Sequence, residues 1–116
     1  MNIDIKAKGI DLTTAIREYV ELRLKPLERF ITSDDHVYVE VGKTTNHHKH
    51  GLIYKAECNA TVRGKKHFVS ADNADLYGAI DDMKDELTRN LMGKRDRAMA
   101  LFRRGSQRIK KILRLE

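Results

Sequence analysis

Val37, Val39 and Val41 alternate with His36, Tyr38 and Glu40. A second run repeats the pattern, setting Leu52, Tyr54, Ala56, Cys58, Ala60 and Val62 against Ile53, Lys55, Glu57, Asn59, Thr61 and Arg63. A period of two puts each apolar set on one side of a pleated strand, so each run needs a single covering layer. Such one-sided strands pair antiparallel. Arg63-Gly64-Lys65 reads as a tight hairpin turn into a shorter strand from Lys66 to Ala71. Ile3, Ile5 and Ala7 alternate with polar neighbours over residues 2–8, which gives a further short strand.

The cover comes from two stretches of helical period. Thr13 can cap a helix to about Phe30, with Leu12, Ile16, Tyr19, Val20, Leu27 and Phe30 as its apolar stripe and Pro26 disturbing its last turn. Asp72 is a plausible cap for the second helix, with Asp75 completing a box-like pattern. Leu76, Ile80, Met83, Leu87, Leu91, Ala98, Leu101 and Phe102 keep to one face, so this helix is expected from about Ala74 to Arg103. At ~1.5 Å per residue such a helix is roughly 45 Å long and outruns strands of about 20–27 Å. The order is therefore β-α-β-β-β-α, an α+β fold with two helices on one face of a four-stranded, mostly antiparallel sheet. The opposite sheet face, with Lys6, Lys8, Glu40, Lys55, Glu57 and Arg63, is mixed in sign and solvated.

Charge divides this chain unevenly. Residues 1–93 hold 14 Lys/Arg against 15 Asp/Glu, whereas residues 94–116 hold nine against two. The net charge of +6 is thus concentrated at the C-terminal end, which favours a polyanionic partner. A domain over 1–104 followed by a basic tail over 105–116 is the expected division. Arg23 falls within the stripe of the first helix, and Lys84, Lys94 and Arg95 flank that of the second. Both stripes face one sheet, so these cations can line a groove between the helices suited to phosphate oxygens. Ion pairing of Lys84 with Asp82, Asp85 or Glu86 is the competing reading.

Other chemistry finds little support in the pattern. No apolar run approaches the ~20 residues of a membrane span, and the N-terminus lacks a secretory signal pattern. The lone Cys58 excludes an internal disulfide, fits a reducing cytoplasm, and sits on a predicted core face. His47, His48 and His50 share one loop without a Cys or acidic cluster, so no metal site is expected. Asp81, Asp82, Asp85 and Glu86 read as a largely solvated face rather than catalytic carboxylates. Ile109, Ile112, Leu113 and Leu115 give the tail weak amphipathicity, too short for membrane anchoring. No enzyme motif, cofactor site or small-molecule substrate site is expected.

Two stretches carry a family resemblance. Ile10-Asp11-Leu12-Thr13-Thr14-Ala15-Ile16-Arg17-Glu18-Tyr19-Val20-Glu21, followed by Arg23-Leu24-Lys25-Pro26-Leu27-Glu28-Arg29-Phe30, resembles the first helix of the ribosome hibernation promoting factors and translation inhibitors, the protein Y family. Asp75-Leu76-Tyr77-Gly78-Ala79-Ile80-Asp81 resembles the start of that family's second helix. The resemblance spans about residues 1–97. It implies a domain that binds the small ribosomal subunit and its rRNA in the cytoplasm under stress or in stationary phase. There it would occupy the channel for messenger and transfer RNA and inhibit translation without chemistry.

By motif position the family's RNA-contacting cations map onto Arg23 and Arg89, with Lys94 close to another; Arg95 and Arg97 extend the same basic stretch. Glu86 and Pro26 stand where relatives often carry lysine, and Lys84 and Lys25 can compensate. Long members add a domain that joins two ribosomes, and none is expected within these 116 residues. The alternative reading is a general double-stranded RNA module, which also sets two helices against an antiparallel sheet.

Overall fold

The computed structural model describes residues 2–44 and 53–92. Strands β1 (Asn2–Lys8), β2 (His36–Lys43), β3 (Tyr54–Val62) and β4 (Lys65–Asn73) form one sheet in the order β1-β2-β3-β4. The first pair is parallel and the other two are antiparallel. Register aligns Ile5, Val39, Cys58 and Val69 in one row, with Ile3, Val37, Ala60 and His67 in another. These rows face helices α1 (Thr14–Leu24) and α2 (Leu76–Leu91). The expected β-α-β-β-β-α architecture is therefore the observed one.

Local chemistry explains the element boundaries. Thr13 accepts a hydrogen bond from the Ile16 N–H at 3.1 Å and so starts α1. The α-helix does not continue to Phe30: it ends at Leu24, and Lys25–Phe30 is a 3₁₀ helix. Pro26 has no N–H for the Leu22 carbonyl and its ring crowds that turn, so the chain tightens rather than merely kinking. Leu27 still reaches the core from the 3₁₀ segment.

β4 runs two residues beyond its expected end, through Asp72 and Asn73. Asp72 is therefore a strand residue, and Asp75 caps α2 by accepting from the Gly78 N–H at 3.1 Å. The α2 helix stops at Leu91, where Met92 adopts an extended backbone, so the expected run to Arg103 is not made. Its 16 residues span about 24 Å, which does not outrun nine-residue strands of about 30 Å. Apolar spacing persists across this boundary in the sequence, but Met92 leaves the helix immediately before Gly93.

Val20, Leu24, Leu27, Val41, Cys58, Ile80, Met83 and Leu87 are all at most 2% exposed and join the helices to the sheet. Full burial of each large aliphatic side chain contributes about 1.5–3 kcal/mol. The β3–β4 hairpin turns on Arg63 and Gly64, both with positive φ (52° and 78°). A two-residue turn of that hand matches the strand twist, and Arg63 is an uncommon residue for its position.

Candidate nucleic-acid interface

Between the two helices, one carboxylate organises the seam. Asp81 Oδ1 accepts a 2.7 Å hydrogen bond from the Tyr19 hydroxyl and lies 2.8 Å from Arg23 Nε. The Nε–H is not directed at that oxygen, so the Arg23 contact is an ion pair rather than an aligned hydrogen bond. The Tyr19 and Tyr77 rings meet edge to face with centroids 4.7 Å apart. The hydrogen bond to Asp81, helped by partial burial, holds the Tyr19 phenol above its ordinary pKa and therefore protonated.

Thus side chains bridge the seam beside Arg23, and its guanidinium is paired with Asp81. Lys84 is half-buried, with Nζ 3.9 Å from Asp85 Oδ1, a distance at the limit of ion pairing. Lys25 on the 3₁₀ segment and Arg89 in the last turn of α2 are exposed. Neither pairs with a carboxylate among the described residues. Arg89 also stands at the negative end of the α2 dipole, where a cation is favoured. Lys94, Arg95 and Arg97 lie outside the described residues, as do the three loop histidines, the tail and its boundary at residue 104.

The acidic cluster is used locally. Besides Asp81, Asp82 accepts from the Asn73 side-chain Nδ2–H at 3.1 Å, while the Asn73 side-chain oxygen, Oδ1, accepts from the Asp75 N–H at 3.0 Å. These contacts tie the end of β4 to the first turns of α2. Among the described residues, no three His, Cys, Asp or Glu groups converge as metal ligands. Cys58 is fully buried, and desolvation pushes its thiol up to about 12, far from a reactive thiolate. No helix among the described residues is long and apolar enough to cross a membrane.

Two features escaped the sequence reading. Tyr38 and Phe68 are 50% and 58% exposed on the open sheet face, flanking Asn59 across three strands. Strand alternation pointed Tyr38 outward, but only the register pairs both aromatics with Asn59. Arg63, expected among the solvated sheet positions, instead joins Lys65 and His67 around a cavity at the hairpin end.

Residues 3–98 match the family described as Sigma 54 modulation protein / S30EA ribosomal protein. A ribosome hibernation promoting factor of Klebsiella oxytoca is 30% identical over 99 residues, covering 84% of this chain and 96% of that protein. The factor of Azotobacter vinelandii is 34% identical over 92 residues, covering 79% of this chain and 80% of that protein. The N-terminal domain of Thermus thermophilus Protein Y superposes with a TM-score of 0.66 at 29% identity, covering 78% of this chain and 96% of that domain. A ribosomal subunit interface protein from Coxiella burnetii has the same fold, with a TM-score of 0.65 at 21% identity and coverage of 78% and 93%. The sheet order, the two capped helices and these matches agree, and the chain belongs to the Sigma 54 modulation protein / S30EA ribosomal protein family, with the ribosome hibernation promoting factors as its relatives.

Proposed function

We propose that this chain is a cytoplasmic ribosome hibernation factor. In this reading it binds the small subunit, occupies the channel used by messenger and transfer RNA, and inhibits translation under stress or in stationary phase. Inhibition is steric and involves no catalysis. The observation that carries the reading is the match to the Klebsiella factor, which extends over 96% of that protein's length. Local chemistry supports it. Lys25 and Arg89 offer charges without acidic partners among the described residues, and the sequence continues into Lys94, Arg95 and Arg97. With Arg23 and Lys84 on the helix seam, these cations form the proposed rRNA contact set, each suited to phosphate oxygens.

Gradient co-sedimentation of the full chain with purified small subunits tests this directly. Association is expected, and it weakens steeply between roughly 50 and 200 mM salt because phosphate contacts release counterions. Prior loading of messenger and initiator transfer RNA is expected to exclude the protein. Simultaneous occupancy would remove the channel assignment. Equal affinity for naked duplex RNA and for small subunits would replace this reading with a general double-stranded RNA module.

A further inference from the structure

At the β3–β4 hairpin end, a cavity of about 640 Å³ opens between the hairpin, the last residue of the 3₁₀ helix and the C-terminal turn of α2. Its chemistry is two-sided. Phe30, Val62 and Leu91 supply an apolar floor, while Arg63, Lys65 and His67 supply cationic and titratable groups. Asn90 adds an amide that can both donate and accept. The lining contains no carboxylate, and neither Arg63 nor Lys65 forms an ion pair among the described residues. Asp35 does touch the hairpin: its carboxylate accepts from the Arg63 backbone N–H and feels the Arg63 charge, but no salt bridge joins the two side chains among the described residues.

Topology explains why these groups converge. His67 occupies the last position of the core-face row Ile3-Val37-Ala60-His67, at the edge strand, where the covering layer thins and a polar side chain remains half-buried. Lys65 stands two residues earlier on the same side of β4, and the positive-φ turn places Arg63 at the same end. Burial, and secondarily the Lys65 charge, lower the His67 pKa. The Arg29 guanidinium stands 4.5 Å from the Phe30 ring centroid, so one face of that ring already carries a cation.

We propose that this cavity binds one nucleotide of single-stranded RNA, with its base against Phe30 and Leu91 and its phosphate between Arg63 and Lys65. A nucleotide is the ligand class that combines a flat apolar body, hydrogen-bonding edges and an anionic group, and the cavity offers a partner for each. Asn90 meets the base edge. Taking the RNA to be ribosomal rests on the function proposed above; the cavity chemistry itself does not. It gives the domain a second RNA contact, remote in sequence from the helix seam of Arg23 and Lys84.

The test uses the full chain, ¹⁵N-labelled and titrated with a short oligoadenylate RNA and, separately, with adenosine 5′-monophosphate. The oligonucleotide is expected to shift the backbone signals of Arg63, Lys65, His67 and Asn90 saturably. The double variant Arg63→Asn, Lys65→Gln is expected to bind it at least about tenfold more weakly, through loss of two charge-assisted contacts. Asn tolerates the positive φ at position 63, so the turn survives. The control Lys6→Gln, Lys8→Gln removes equal charge from β1, and its affinity is expected to stay within about twofold of the parent.

Signals that move only along the helix seam, or equal weakening in both double variants, would overturn the cavity assignment. Mononucleotide binding clearly tighter than that of the oligonucleotide would overturn the RNA assignment in favour of a free nucleotide. Parallel co-sedimentation separates the two proposals. A chain that ignores ribosomes but binds the oligonucleotide at the cavity sinks the hibernation reading alone. A chain that sediments with ribosomes while its cavity signals stay silent sinks the cavity alone.

Discussion

Arg23 of α1 and Asp81 of α2 meet at 2.8 Å across the helix seam, which places a residue of the proposed rRNA contact set inside an intramolecular ion pair. The pair is more than one-third exposed on both sides, so its contribution to stability is on the order of 0.2–1 kcal/mol. Its effect on RNA binding is larger in consequence, because a matched guanidinium must leave its carboxylate to grip a phosphate. Asp81→Asn removes that competitor and keeps an acceptor for the Tyr19 hydroxyl. The expected outcome is a stability loss below about 1 kcal/mol together with severalfold tighter RNA binding at low salt. Urea denaturation and filter binding measure the two effects. Weaker RNA binding by the folded variant would show that Asp81 positions Arg23 for RNA rather than restraining it.

The helix starts make a second prediction. Thr13 and Asp75 each accept a hydrogen bond from a first-turn backbone N–H at 3.1 Å. Thr13→Ala and Asp75→Ala should each cost about 1 kcal/mol, in the range measured for lost caps. The two sites sit on different helices without shared partners, so their effects should add in a double variant. Chemical denaturation of the single and double variants checks both points. An unchanged midpoint for Asp75→Ala would mean that the Asn73 bracket alone holds the start of α2.

Local rules reached much of this architecture. The alternating runs 37–41 and 56–62 carry their buried faces in the sequence itself, and Thr13 was recognisable as a cap because its helical stripe begins nearby. The failures share one cause: competition between neighbouring signals that only tertiary context decides. Asp72 and Asp75 are equally good capping residues, and pairing of Lys55 with Asp72 kept the former in the sheet. Leu91, Ala98 and Leu101 continue a helical spacing past the point where Met92 turns away. The Arg23–Asp81 pair joins positions 58 residues apart, and Arg63 and Leu91 line one cavity only because the hairpin and the end of α2 share one edge. Sequence patterns identify faces well; they do not say which charged faces neutralise one another.

Gly42 offers a sharper test of the parallel pair β1–β2. It stands opposite Lys8, and a Cβ built there would collide with the Lys8 carbonyl oxygen and lie 3.0 Å from its carbonyl carbon. Both obstacles are backbone, so no rotamer change relieves them. Gly42→Ala must therefore push the end of β1 away from β2, at a cost of about 1–3 kcal/mol. Denaturation should report this loss, and hydrogen exchange should localise it to the amides of Ala7 and Lys8. Wild-type stability in this variant would contradict the close approach. Gly9→Ala forms a useful contrast, since the constraint there is a positive φ of 73° rather than contact with a backbone neighbour.

Asp35 connects the proposed nucleotide cavity to acid stability. It is the one buried carboxylate among the described residues, at 7% exposure, and it brackets two segments by accepting from the Thr32 N–H at 2.8 Å and the Arg63 N–H at 3.1 Å. These backbone donors, Thr32 foremost, favour the ionised form and hold its pKa below the ordinary carboxylate value, against the opposing effect of burial. A pKa depressed by folding gives stability that is present above the unfolded value, ~3.9, and lost as pH falls through the lower folded value. Protonation removes the charged acceptor that keeps Arg63 in its positive-φ turn, so acid should loosen the hairpin as well as the domain. Urea midpoints between about pH 5 and about pH 2 should fall more steeply for the wild type than for Asp35→Ala, which is already weaker at neutral pH. Other carboxylates titrate in both proteins, and the difference between the two curves isolates Asp35. Parallel curves throughout that range would mean that ionisation of Asp35 does not hold the bracket, and the hairpin end of the cavity would need another support.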